Sequence, residues 1–269
     1  MQFWPLRTIE PERCLNIGQA AALLGRVGEN HRRQLAGDLL QLIGSGIPLA
    51  QCTVFAYAPR RNPQVFTFAD RAREVSLLQI SSRYAERFYS QDGNQHAMAC
   101  SNGGERIVVQ RQRIDDIGHA EYRRICYEQP KIAERLALLA SCDKGRWLSV
   151  NFYRGREHGS FSAQELDFME ASAPLLMQIV RMHYLAYLQA NELPLLLTER
   201  LAGLYPELTL RDRELLRLLL SGIDNDEIAV SLGVRPSSAA TYIKRLYRKL
   251  GTSGLRELIG LATQAGRWR

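Results

Sequence analysis

Between residues 236 and 250 the apolar side chains Ala239, Ile243, Leu246 and Leu250 recur four, three and four positions apart, the spacing of one buried stripe on an α-helix. The opposite stripe is different in kind: Ser237, Thr241, Lys244, Arg245 and Arg248. One face packs, and the other presents small polar groups and cations. No Asp or Glu occurs from 228 to 256, while Arg235, Lys244, Arg245, Arg248, Lys249 and Arg256 all fall there. A basic helical face standing alone is most often just a solvated surface, so the neighbouring residues must decide what this one is for.

Those neighbours read as three more helices. Thr209 can cap a helix over 209–221, with Asp212 as a first-turn acid, Leu215, Leu216, Leu218 and Leu219 inward, and Gly222 at its end. Asp224 or Asn225 can cap a short helix to Leu232, with Ile228, Ala229 and Leu232 inward. Gly233-Val234 then makes a tight turn, and Pro236 stands at the first helical position, where its missing N–H costs nothing. Leu255, Leu258, Ile259 and Ala262 supply a fourth helix. A short helix, a tight turn and an exposed polar-basic helix together make a helix-turn-helix, and the major groove of DNA is wide enough to admit one such helix.

Thr209-x-Arg211-x-x-Glu214-Leu215-Leu216, then Gly222-x-x-Asn225-x-Glu227-Ile228-Ala229-x-x-Leu232-x-Val234, then Ile243, Leu246 and Lys249-Leu250-Gly251, resembles the four-helix DNA-binding domain of LuxR/FixJ-type (GerE-like) regulators over about 206–265. The resemblance implies double-stranded DNA as partner, read as a pseudo-palindromic operator by a homodimer that meets through the fourth helix. It also makes RNA polymerase a candidate partner. It makes the helix at 236–250 the recognition helix, with Ser237, Ser238, Thr241, Lys244, Arg245, Arg248 and Lys249 as the DNA-facing set. Thr241 and Lys244 fall where base edges are met; Arg245, Arg248 and Lys249 would serve phosphates. Glu227 is implied to tie helices together. The chain departs from the family at Arg235, where a capping Ser is usual, at Ala240, where a DNA-facing Lys is usual, and at Tyr242, in place of a His.

At 269 residues the chain is longer than one ordinary core needs. With 46% apolar and 23% charged residues it reads as globular, and its net charge of +7 is a mild basic excess. Apolar runs of about five residues fall far short of the roughly 20 a membrane helix needs, and the first residues lack the pattern of a secretory signal. A cytoplasmic chain without membrane association is therefore expected. The cysteines, Cys14, Cys52, Cys100, Cys126 and Cys142, are scattered without metal or disulfide spacing, and no cofactor or metal is implied. The expected organisation is a regulatory or ligand-sensing domain over 1–192, a linker over 193–207 whose leucines should dock on a neighbouring domain, and the helix-turn-helix domain over 208–269.

Residues 15–43 carry helical spacing with a break near Gly28. Segments 51–57 and 64–68 look like a hairpin about Pro59-Arg60-Arg61-Asn62-Pro63. Residues 75–90 look helical, 101–104 form a turn, and 106–112, 133–141 and 147–153 suit strands, although 132–139 fits a helix equally well. Asp143-Lys144-Gly145 reads as a hairpin turn. Ser162-Ala163-Gln164-Glu165 is a capping box opening a long helix that Pro174 should kink. The fold class that follows is an α+β sensor domain, a mixed sheet flanked by helices, followed by an all-α four-helix helix-turn-helix domain.

Aromatic residues are dense in the first domain, and Tyr84-Ala85-Glu86-Arg87-Phe88-Tyr89-Ser90-Gln91-Asp92 is similar to the pocket segment of LuxR-type sensors. There a Tyr and an Asp hold an acyl-homoserine lactone, which makes Tyr84 and Asp92 candidate equivalents, with Phe68 and Phe88 as pocket walls. Here the spacing is one residue short and Gly93 replaces a Pro. Glu121-Tyr122-Arg123-Arg124-x-Cys126-Tyr127, 147–154 and Phe161-Ser162-x-x-Glu165-Leu166, with the later Ala173-Pro174-Leu175, resemble instead the PAS/GAF-like domains of regulators that do not take lactones. The reading that follows is a DNA-binding transcription regulator responding to a small molecule or a partner protein. The alternatives are a lactone receptor with a degenerate pocket and a ligand-independent protein-interaction regulator. A phosphorylated receiver is disfavoured because the acidic pair Asp115-Asp116 comes far too late. An enzyme is not expected, since the five histidines are dispersed and no nucleophile elbow or phosphate loop occurs.

Overall fold

The computed structural model describes residues 1–8, 15–28, 32–71, 76–101, 107–143 and 145–264. Cys14, most of the turn expected at 101–104, and Lys144 lie outside them. The chain falls into two compact units, Met1–Tyr184 and Leu185–Arg269.

The first unit is α+β. Its elements are β1 (Gln2–Pro5), α1 (Ile17–Gly25), α2 (Arg32–Gly44), β2 (Gln51–Tyr57), β3 (Gln64–Asp70), α3 (Leu77–Arg83), α4 (Gly93–Cys100), β4 (Val108–Arg113), the single turn α5 (Ala120–Arg123), β5 (Ile132–Asp143), β6 (Arg146–Gly155) and the start of α6 (Ala163–Leu204). Two π-helical turns, Tyr84–Phe88 and Arg124–Glu128, continue α3 and α5. The strands form one sheet in the order β1-β4-β5-β6-β2-β3. All five pairings are antiparallel, so the sheet has one sense throughout where a mixed sheet was expected. β1 is a short edge strand ending at a proline, too brief to leave a pattern in the sequence.

β5 resolves the segment that fitted helix or strand equally well. Between β4 and β6, Ile132 and the run from Glu134 to Leu139 are all buried. A central strand covered on both faces shows no alternation. Register then sorts the sheet into two faces. One carries Val109, Leu138, Val150 and Val54 in a row, and beside it Arg111, Leu136, Phe152 and Cys52. The other carries Gln112, Arg135, Tyr153 and Gln51 in a row, and beside it Gln110, Ala137, Asn151 and Thr53. So one face is mostly apolar, and the other is polar and yet buried.

The long helix α6 opens at the expected capping box: Glu165 N–H donates to Ser162 Oγ at 3.3 Å and Ser162 N–H to Glu165 Oε2 at 2.8 Å. It continues through Pro174. Residues 193–204, read in sequence as part of a linker, are helical; of the leucines expected to dock, Leu197 meets a core, while Leu193, Leu195 and Leu196 are exposed. Leu201 and Leu208 are buried in the second unit, with Leu197 and Tyr205 packed against them. No described helix is long and apolar enough to cross a membrane.

The second unit is all-α beyond that segment: α7 (Leu210–Leu220), α8 (Asn225–Leu232), α9 (Pro236–Leu250) and α10 (Leu255–Gln264). Its core gathers the expected inward residues, Leu215, Leu216, Leu219, Ile228, Ala229, Leu232, Ala239, Ile243, Leu246, Leu250, Leu258 and Ala262.

Candidate functional site

The turn between α8 and α9 is built from local chemistry. Asp224 accepts from the backbone N–H groups of Asp226 at 3.0 Å and Glu227 at 2.8 Å, which caps α8. Gly233 ends α8 at φ +65°, in the left-handed region where a side chain would be strained. Pro236 opens α9 directly after Arg235, whose side chain makes no cap bond. At the far end Gly251, at φ +66°, closes α9, and Thr252 N–H donates to the Tyr247 carbonyl at 2.9 Å.

On α9 the four inward residues are buried, while Ser237, Thr241, Lys244, Arg245 and Arg248 are exposed and Ser238 is half-buried. Thr241 Oγ1 donates back to the Ser237 carbonyl at 2.9 Å. Lys244 and Arg248 make no ion pair among the described residues. Arg245 lies over the Tyr242 ring, 5.6 Å from its centroid, with Nη2 3.7 Å from Asp212 Oδ1.

Lys249 behaves differently from the cations grouped with it in sequence. Its Nζ donates to Asp212 Oδ2 at 2.8 Å and to the Glu207 carbonyl at 2.5 Å. Asp212 also accepts from Thr209, completing a capping box at the start of α7. Burial alone would raise the Asp212 pKa; the bonds from Lys249 and Thr209 outweigh it and hold the carboxyl below its ordinary value. Lys249 thus fastens α9 to α7. Arg211 holds α8: it donates to Glu214 at 2.7 Å and to the Leu232 carbonyl at 2.5 Å. Glu227, read from the resemblance as the tie between helices, is exposed, and the bond found at this residue is its own N–H to Asp224.

The candidate ligand residues lie apart from this, in the first unit. Asp92 is buried, and Arg135 meets it end-on: Nη1 to Oδ2 at 2.7 Å and Nη2 to Oδ1 at 2.5 Å. Tyr84 donates its hydroxyl to the same Oδ2. Arg135 Nη2 also reaches Gln110 and Gln112, each at 2.9 Å. Asn94 bridges from there to Asn151 at 3.0 Å, and Asn151 to Ser149 at 3.0 Å. Burial works against the Arg135 charge, but the Asp92 carboxylate more than offsets it, so the guanidinium is held well above its ordinary value. Burial, then the Asp92 charge, raise the pKa of Tyr84 and of Tyr122, keeping both neutral.

Beside this network lies a small cavity of about 20 Å³, walled by Thr53, Phe55, Ser81, Tyr84, Cys126 and Tyr153 and by Tyr122, Tyr127 and Arg135. Tyr84 is thus brought into a cavity wall. Asp92 stands behind Arg135, and Phe88 supports Tyr122 from outside, ring centroids 5.5 Å apart. Phe68 is half-buried on β3 opposite Thr53 and does not line the cavity. Arg135 escaped sequence reading. The available signal was a Glu-Arg pair, Glu134-Arg135, inside an otherwise apolar run.

Residues 206–262 match the model of the bacterial regulatory proteins of the luxR family. An HTH-type transcriptional regulator from the exeN 3' region of Aeromonas salmonicida is 26% identical over 152 residues, 52% of this chain and 78% of that protein. The transcriptional regulatory protein MctR of Rhizobium johnstonii is 35% identical over 80 residues, 30% of this chain and 37% of that protein. Among solved structures, the VqsR LBD domain of Pseudomonas aeruginosa aligns with TM-score 0.47 and 17% identity, over 62% of this chain and 95% of that one. The helical unit built around α9 is a luxR-family helix-turn-helix domain, and the two relatives that align with the chain are named as transcriptional regulators.

Proposed function

We propose that this regulator works as a homodimer that lays α9 of each copy into the major groove of a pseudo-palindromic operator, under control of the first unit acting as a sensor in the cytoplasm. One observation carries the docking: the outward face of α9 joins Ser237 and Thr241, small enough for close approach to base edges, to Lys244 and Arg248, which no acidic partner holds among the described residues. Lys244 is the base-reading candidate, and Arg245 and Arg248 are the phosphate contacts. Lys249 keeps the helix at its angle. Exposed Leu255 and Ile259, one turn apart on α10, support a dimer contact there. The effector is a small molecule or a partner protein, and the output passes to RNA polymerase.

The experiment is selection of duplexes from a random pool by the full-length chain, with the mass of the bound complex determined by sedimentation. Recovery of an inverted repeat bound by two chains supports the reading. A single half-site bound by one chain, or no enrichment, refutes it.

A further inference from the structure

We propose that α6 carries a second contact between copies of this chain: over 193–204, Leu193, Leu196 and Leu204 pack in parallel against the same three leucines of another copy. This rests on reading the chain as a homodimer and adds to the contact drawn on α10.

This stretch of helix is apolar on two opposite sides. At about 100° per residue, Pro194, Leu201 and Ala202 share one side, and all three are buried. Leu193, Leu196 and Leu204 fall on the other, within an arc of about 80°, and are 57%, 65% and 52% exposed. A helix that serves one core carries polar residues on its outer face; one that is apolar on both sides has a second neighbour to meet. Leu210 and Val230 are more exposed still, but each stands alone on its helix, which is ordinary for a surface. Three leucines in a row are not.

The occupant is a second copy, because this face complements itself. Residues 193, 196, 200 and 203 alternate in steps of three and four, the spacing of a seam between two paired helices. Gly203 lies on that seam with open space where a side chain would stand, so two helices can come close there. Arg200 also falls on the seam, with Glu199 beside it; both are exposed, and neither has an ion pair among the described residues. In a parallel pair in register, Arg200 of each copy comes beside Glu199 of the other, which gives ion pairs across the seam and fixes the register. A surface that complements itself about a two-fold axis is what a closed dimer needs. Leu255 and Ile259 on α10, only 37% and 42% exposed, fall short of the roughly 800 Å² that a stable interface covers on each partner.

The place of the contact gives it a consequence. Leu201, on the buried side of the same stretch, belongs to the core that holds Ile243 and Leu246 of α9. Two α6 segments clamped together therefore fix the distance between the two α9 helices, and with it the spacing of half-sites that a dimer accepts.

The test is sedimentation of the full-length chain without DNA over a range of concentrations. The parent is expected to be a dimer, and the double variant Leu193→Glu, Leu196→Glu to self-associate about thirtyfold or more weakly. Leu195→Glu, exposed on another side of the same helix, should leave the dimer intact. Glu199→Arg should weaken it, and Glu199→Arg together with Arg200→Glu should restore it. A parent that sediments as a single chain overturns the contact. So does a leucine double variant that keeps the parent's dimer constant, whether or not its melting temperature falls. Loss of the dimer in Leu195→Glu as well overturns the stripe, and a charge swap without rescue overturns the parallel register. The homodimer reading is judged separately. A dimer lost in Leu255→Glu, Ile259→Glu but kept in the leucine double variant sustains that reading and refutes the α6 contact. A dimer held through α6 that recovers no inverted repeat sustains the contact and refutes the docking on DNA.

Discussion

Lys249 on α9 reaches across to Asp212 on α7, Nζ to Oδ2 at 2.8 Å, and ties the C-terminal turn of α9 to the first turn of α7. The lysine is therefore spoken for before any DNA arrives. Its place in a basic run suggested a phosphate contact; its partner makes it a strut.

Replacing that strut should be felt in stability. Lys249→Met keeps the stem and deletes the charge, leaving Asp212 without its strongest donor. We expect the second unit to lose about 1.5–3 kcal/mol, the range for a hydrogen bond to a charged group. Urea unfolding of the full-length chain measures this. A variant as stable as the parent, with a reduced salt slope for DNA binding, would make Lys249 a phosphate contact after all.

Acid should act on the same pair. The Asp212 carboxyl is held below its ordinary value of 3.8, with Lys249 and Thr209 outweighing burial. A depressed carboxylate contributes stability that is complete above the unfolded value and is lost as pH falls through the folded one. The urea midpoint of the second unit should thus drop on acidification below about pH 4. The difference between the parent and Asp212→Asn should shrink over that window. Parallel pH profiles for the two chains would contradict it.

Asp92→Asn tests the other pair. It leaves the Arg135 guanidinium buried beside a neutral amide. Breaking a buried pair on one side costs about 3–5 kcal/mol, so the first unit should melt well before the parent. A change below about 1 kcal/mol would mean that Arg135 draws its support from Gln110 and Gln112 instead.

The two units were legible in sequence to different degrees. In the second, stability and function use the same helical period: Ala239, Ile243, Leu246 and Leu250 define the buried stripe, and what faces away follows from geometry. Caps and turns at Thr209, Asp224, Gly233 and Pro236 are local, and all could be read locally. Lys249 could not, because its partner lies 37 residues away. In the first unit the decisive contacts cross strands. Arg135 meets Asp92 only once β5 takes its register between β4 and β6, and no spacing in the sequence announces that. The family resemblance makes Tyr84 and Asp92 a ligand pair; the structure brings them together but gives Asp92 to Arg135. A polar sheet face that is nonetheless buried breaks the pattern that sequence reading relies on.

Ala240 offers a gain-of-contact test. It sits half-exposed on α9, at the position where the family resemblance implies a lysine. Ala240→Lys should tighten binding to many duplex sequences alike and steepen the log–log salt slope by about 0.9, the value for one more phosphate contact. An unchanged slope would place that residue off the DNA.

The most direct measurement is the salt dependence of full-length chain binding to its selected operator, compared with Lys244→Ala and Arg248→Ala. If α9 lies in the groove, Lys244→Ala loses about 1–3 kcal/mol of specific affinity, and Arg248→Ala lowers the log–log slope by about 0.9. If both variants bind the operator with the parent's affinity and slope, α9 does not dock as described.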